Sequence, residues 1–298
     1  MFERISKTTA GARTAIADGL RRVADRIAGS GSEVLGEKAN LLAEYVTSMP
    51  SPQNAVDSVP GWNMVLPPEA GATGGTGYYF CDPRIEWAIS QHGSLAGATV
   101  LELGPLEASH TYMLHRQGAA LIDAVEANRL AFLRCLIVKE LVGLPNAKFH
   151  LGDFVKWIEN TPTHYDMIVG SGVLYHLQDP INFIEMLSRK TNSLYLWTHF
   201  LDDAAMPEDD RRRTVFVGGV ETIRHRDLDI RIIRRSYHNA WTNATFCGGL
   251  SDNHMWIYRD DLLKLLGACG FDDVRIAHED HQHPNGPAFS VYARRASV

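Results

Sequence analysis

No stretch of the 298-residue chain approaches the roughly 18 consecutive apolar residues that a membrane-spanning helix needs, so no membrane association by a spanning segment is expected. Cysteine is scarce: Cys81, Cys135, Cys247 and Cys269 lie far apart and form no C-x-x-C pair. That spacing indicates neither a zinc site nor a disulfide framework, and it fits a reduced, cytoplasmic setting. Positive charge is not in excess, since 29 Lys and Arg against 35 Asp and Glu leave a net charge of −6. A general nucleic-acid partner, which needs a basic footprint, is therefore disfavoured. The start, Met1-Phe2-Glu3-Arg4, lacks an apolar core followed by a small-residue cleavage site, so no secretory signal is expected. There is no internal repeat. With 45% hydrophobic residues there is ample material for a core, which excludes global disorder.

The chain changes rhythm three times. Residues 1–48 read as helical, with Ile16, Leu20, Val23 and Ile27 at spacings of three and four, broken by Gly29-Ser30-Gly31-Ser32. Residues 49–77 carry five prolines and Gly71, Gly74, Gly75 and Gly77, as a linker or a flap over a site would. Residues 1–77 thus read as an N-terminal helical and lid segment. From Thr99 short apolar strands alternate with helices: strands over 99–103, 120–125, 147–151, 165–170 and 193–199, helices over 107–117, 128–142, 153–159 and 179–190. A further helix is expected over 84–92. Such alternation predicts an α/β fold with a mostly parallel sheet covered on both faces. Residues 200–256 break the alternation and read as a cap insertion. It resumes with a helix over 259–269 and strands over 273–277 and 287–294.

Four signals fall at the ends of successive predicted strands, where ligands of open α/β sheets bind. The first is Glu102-Leu103-Gly104-Pro105, in which Gly104 permits a tight turn and close approach to the backbone. Only one glycine is present, so a dinucleotide loop of the G-x-G-x-x-G kind is disfavoured. The second is Glu126, able to accept from two ribose hydroxyls or simply to complement a helix N-terminus. The third is Gly152-Asp153-Phe154, where Asp153 either accepts from an adenine amino group beside an apolar Phe154 or caps the next helix. The fourth is Gly170-Ser171-Gly172-Val173-Leu174-Tyr175-His176.

In this order the four signals resemble those of class I S-adenosylmethionine-dependent methyltransferases. The resemblance covers residues 78–200 and the closing layout of 259–294, and Glu-Leu-Gly-Pro departs from the commoner glycine-rich loop. It implies a Rossmann-like domain over 78–298 with a seven-stranded sheet, and S-adenosylmethionine as cofactor with S-adenosylhomocysteine as product. Tyr79, Arg84, Glu102, Gly104, Glu126, Asp153, Phe154 and Ser171 would be its cofactor-binding residues. Gly-Val-Leu-Tyr-His, with His254-Met255-Trp256-Ile257 and Cys269-Gly270-Phe271, also resembles the tRNA wobble-uridine carboxymethyl transferase group. On that resemblance Tyr175 lies beside the cofactor's methionine end.

Methyl transfer from a sulfonium depends on alignment, and a hydroxyl acceptor also needs a base. His176 and His199, each just past a predicted strand, are the base candidates, with Tyr175 beside them. His238 and His254 lie in the cap and would be more distant contributors. Arg84 either meets the cofactor's carboxylate or pairs with Asp82 or Glu86. The cap holds Arg211, Arg212, Arg213, Arg224, Arg226, Arg231, Arg234 and Arg235 against only Glu221, Asp227 and Asp229. This run either grips an oxyanion or is a solvated face. His278, Asp280, His281 and His283 have a spacing open to a divalent metal, though a solvated loop is the plainer expectation and no metal is assigned. The expected function is methylation of a small polar or anionic metabolite. A tRNA-modifying transferase and a non-catalytic cofactor-binding protein are the alternatives. The N-terminal helices would suit a homodimer.

Overall fold

The computed structural model describes residues 45–77, 79–238 and 248–296, and of Tyr79 only the backbone. The helices expected over 1–48 therefore fall almost wholly outside the described residues, and 45–48, where they are described, are irregular rather than helical. The Tyr79 side chain also lies outside them. The chain divides into two units, Met1–Asn54 and Ala55–Val298.

The second unit is built on helix α1 (Pro83–His92), strand β1 (Thr99–Leu103), α2 (Ser109–Arg116), β2 (Leu121–Glu126) and α3 (Arg129–Val142). There follow β3 (Ala147–Leu151), α4 (Phe154–Asn160), β4 (Met167–Ser171), α5 (Pro180–Ser188) and β5 (Ser193–His199). Then come β6 (Phe216–His225), β7 (Leu228–Arg235), β8 (His254–Ile257), α6 (Arg259–Ala268), β9 (Asp273–Asp280) and β10 (Ala288–Arg294). Seven strands form one sheet in the order β3-β2-β1-β4-β5-β10-β9. The first five run parallel, and β10 is antiparallel to both neighbours. This is the mostly parallel sheet that the alternation predicts, with the seven strands of the Rossmann-like fold that the resemblance implies.

Strand alternation divides the core between the two faces. Leu101, Leu103, Ile168, Leu194 and Leu196 pack with Ile158 of α4, Phe183 and Leu187 of α5 and Leu265 of α6. Val100, Ile122, Val169 and Tyr195 pack with Ile85 of α1, Leu114 of α2 and Val138 of α3. Helix starts are written locally. Asp82 before Pro83 caps α1, Asn128 caps α3, and Asp179 before Pro180 caps α5, each side chain accepting from a first-turn N–H.

Residues 55–77 join the face lined by α1–α3: Val56, Leu66 and Ala70 are buried in the same cluster as Ile85 and Leu114. Their glycines have a steric reason. A Cβ on Gly75 would stand 2.3 Å from the Asn63 carbonyl carbon, and one on Gly74 would stand 2.7 Å from the Met64 oxygen. In the insertion after β5, β6, β7 and β8 form a separate antiparallel sheet.

Candidate active site

The strand order reverses between β1 and β4, which makes the carboxyl ends of β1, β2 and β4 the switch point of the sheet. Gly104 leaves β1 there with φ +66°, its N–H donating to the Val125 carbonyl at 3.0 Å. A Cβ at this residue would lie 3.0 Å from Val173 Cγ1, so the turn needs glycine. Two residues earlier Glu102 is fully buried. Its Oε2 accepts from the Thr111 hydroxyl, and its Oε1 has no partner among the described residues. Burial raises its pKa.

Glu126 ends β2 and is also buried. Its Oε2 accepts from Leu106 N–H at 3.1 Å and its Oε1 from Asn128 N–H at 2.8 Å, so the carboxylate ties the loop after β1 to the loop after β2. Burial again raises its pKa, against these backbone hydrogen bonds. Asp153 follows β3 and accepts from Val155 N–H at 2.8 Å, so it is the cap of α4. Phe154 packs on Phe183 with ring centroids 5.4 Å apart. Ser171 ends β4, and Gly172 turns away at φ +82°.

Arg84 forms the structural ion pair that the sequence left as an alternative. Its Nη2 lies 2.6 Å from Asp82 Oδ2 and its Nε 2.9 Å from Oδ1. His110 Nε2 reaches the same carboxylate at 3.1 Å. Burial alone would raise the Asp82 pKa, but the hydrogen bonds from His110 and Arg84 outweigh it and hold the group well below the usual range. The Arg84 guanidinium also lies over the Trp197 ring, 4.7 Å from its centroid.

Glu107 is the residue that sequence reasoning missed. It is wholly buried and accepts from Asn63 N–H at 2.9 Å, Met64 N–H at 2.9 Å, Asn63 Nδ2 at 3.0 Å and Arg134 Nη1 at 2.8 Å. It therefore clasps the proline- and glycine-rich segment to α3. An acid three residues past the turn glycine, followed by an arginine in the next helix but one, was the only trace of it in the sequence.

Beyond β4 and β5 a cluster of rings closes the edge. Tyr175 lies 4.2 Å from His176 and 4.6 Å from His199, centroid to centroid. His199 stacks on Trp256 at 4.9 Å and meets His283 edge-on, also at 4.9 Å. From the insertion, Tyr237 stacks on His254 at 4.0 Å, and its hydroxyl pairs with His176 Nδ1. His254 thus stands with the two predicted bases, whereas His238 is exposed. Burial pushes His176 down to about 3, and His199 and His254 down to about 4. At neutral pH all three rings are uncharged. Burial, with the charge of Tyr237 next, pushes the Tyr175 phenol far up, so it is a neutral donor.

The remaining histidines of the 278–283 run diverge. His278 packs on Trp87 and His281 faces Glu279 at 3.6 Å. Among the described residues no group of three His, Cys, Asp or Glu side chains is placed to hold a metal. No helix among them is long and apolar enough to cross a membrane.

No protein-family model matches the chain, and no curated protein matches it. Solved structures do resemble it. The N-terminal domain of EvdMO1 in the presence of SAH and D-fucose superposes with a TM-score of 0.55 at 23% identity, over 76% of this chain and 86% of that one. The same domain with SAH bound gives 0.55 at 24% identity, over 76% and 87%. At this level of identity the likeness establishes the fold, in agreement with the strand order above.

Proposed function

We propose that the chain transfers the methyl group of S-adenosylmethionine to a small polar or anionic metabolite. The observation that carries this reading is the convergence of Gly104, Glu126, Asp153 and Ser171 on one sheet edge, at the ends of β1 to β4. The buried Oε1 of Glu102, without a partner among the described residues, fits a cationic or N–H-bearing group arriving above the Gly104 turn. Glu126 would hold the ribose hydroxyls, Phe154 with Asp153 would flank adenine, and Glu102, Arg84 and Ser171 would line the methionine end, with Tyr79 covering it. When bound, the cofactor supplies a methyl carbon activated by a sulfonium leaving group. Tyr175 would border the transfer site, and His199 or His176 would take a proton from a hydroxyl acceptor. That a domain of the same fold crystallises with SAH supports the choice of cofactor.

Calorimetric titration with S-adenosylmethionine, S-adenosylhomocysteine and NAD tests the reading. Saturable one-to-one binding of the first two and none of NAD is the expected result; absence of both would overturn it. A tRNA substrate would require affinity that falls steeply with salt. The net charge of −6 and the carboxylate partners of most cap arginines favour the small acceptor. Tight cofactor binding without turnover on any acceptor would instead indicate a binding protein.

A further inference from the structure

The eight arginines of 211–235 do not form one basic patch. Arg212, Arg213, Arg224, Arg226, Arg231 and Arg234 each have a carboxylate within 4.0 Å, drawn from Asp210, Asp203, Asp229, Glu185, Asp261 and Glu221. Arg211 is exposed. Arg235, at the end of β7, differs from all of them: it is partly buried and no carboxylate among the described residues pairs with it.

Its surroundings do not neutralise it either. Arg235 Nη1 lies 3.1 Å from His254 Nε2. His254 Nδ1 faces the Asp252 carbonyl at 3.1 Å, and a carbonyl only accepts, so Nδ1 carries the hydrogen and Nε2 offers its lone pair. The imidazole is uncharged and the guanidinium keeps its full charge. Arg235 Nε is buried without a partner among the described residues, and so is the indole Nε1 of Trp256. The guanidinium carbon is 5.5 Å from the Trp256 ring centroid and 5.6 Å from that of Tyr237. Among the described residues, two unused N–H donors and a cation without a carboxylate therefore share one aromatic-walled corner beside Tyr175 and His199. Buried donors and charges of this kind are ordinarily satisfied, and arginine matches planar oxyanions in particular.

We propose that Arg235, seconded by the Trp256 indole N–H, anchors the anionic group of the methyl acceptor, and that the acceptor is a planar ring bearing a carboxylate or phosphate. Its assignment to the acceptor rests on the methyltransferase reading; the anion site itself does not. The ring would lie among Tyr175, Tyr237 and Trp256, and the other cap arginines would serve the fold.

Calorimetry with benzoate, phenyl phosphate and the neutral isostere benzamide tests this, on wild type, Arg235→Gln, Arg235→Lys and Trp256→Phe, each with and without saturating S-adenosylhomocysteine. At least one anion should bind wild type saturably and benzamide should not. Arg235→Gln should weaken that binding tenfold or more, Arg235→Lys less, and Trp256→Phe severalfold, with S-adenosylhomocysteine affinity unchanged in the arginine variants. Arg235→Lys keeps the charge, so it carries the comparison if the glutamine variant is poorly folded. Failure of wild type to bind either anion, equal binding of benzamide, or anion binding indifferent to both arginine variants would overturn the proposal. Arg235-dependent anion binding in a protein that binds no S-adenosylhomocysteine would uphold the anion site and refute the methyltransferase reading separately.

Discussion

Replacing Glu107 by glutamine preserves shape and removes one charge. The carboxylate is wholly buried and receives four donors: two backbone N–H groups, the Asn63 amide and the Arg134 guanidinium. A glutamine offers one acceptor oxygen and turns an NH2 group toward donors. At least one N–H then loses its partner, and the Arg134 charge, 5% exposed at its side chain, is left without a counter-ion. Breaking a buried pair from one side costs about 3–5 kcal/mol. With a denaturant slope of about 3 kcal/mol/M, the urea midpoint should fall by roughly 1 M or more. Far-UV circular dichroism in urea reads this directly. Arg134→Met added to Glu107→Gln should recover part of the loss, because the stranded charge goes with it. Amide exchange at Asn63 and Met64 should accelerate in the single variant. A loss below about 1 kcal/mol would refute the clasp, because Glu107 would then not hold the 55–77 segment.

Glu126→Ala should weaken S-adenosylhomocysteine binding about 10- to 100-fold, the worth of hydrogen bonds to a charged acceptor; unchanged affinity in calorimetry would remove Glu126 from the ribose site. Asp153→Ala should cost about 1 kcal/mol in urea unfolding as a lost helix cap, and any further loss of cofactor affinity would reveal an adenine contact that the capping bond does not exclude. Between pH 7 and pH 5 the unfolded chain protonates His176 and His199 near their ordinary 6.5 while the folded chain does not, so stability is full above that value and falls as pH drops toward about 3–4. A His176→Gln/His199→Gln double variant should lose about 4 kcal/mol less than wild type over that interval, and parallel stability profiles would show that the rings are not held neutral by burial.

The strand ends were readable because local chemistry marks them. Gly104 needs a positive φ, Asp-Pro pairs open α1 and α5, and the largely apolar β1, β4 and β5 show the hydrophobicity of strands covered on both faces. Those signals act within a few residues, and from Pro83 on the structure keeps the predicted strands and helices to within one or two residues apart from β9, which runs on to Asp280. The most distant partners of the cap arginines were hidden because they are nonlocal: Asp261 reaches Arg231 across 30 residues and Glu185 reaches Arg226 across 41. Composition over 211–235 counted three acids and suggested a patch, while the fold brings four more. Glu107 was hidden for the same reason, its donors Asn63 and Met64 lying 44 and 43 residues upstream. Arg84 and Asp153 each had two readings, and a short-range bond, to Asp82 and to Val155, is the one present in both cases.

The two candidate bases were equivalent in the sequence, and the structure separates them. His199 Nδ1 sits 2.8 Å from the Gly286 carbonyl and 3.2 Å from that of Pro287. Both oxygens can only accept, so Nδ1 carries the hydrogen and Nε2 carries the lone pair. His176 Nδ1 faces the Tyr237 hydroxyl, which can stand on either side of that bond, so its tautomer is not fixed in this way. In the proposed reaction a base must present a lone pair before the acceptor's proton becomes acidic. In the proposed role His199 would do so, since its depressed pKa keeps it unprotonated across the physiological range. A weak base suffices, because a hydroxyl oxygen that gains a methyl group becomes a far stronger acid than any imidazolium. The same burial that weakens His199 as a base would thus keep it in the form the proposed reaction needs, and the stack on Trp256 fixes the ring in place.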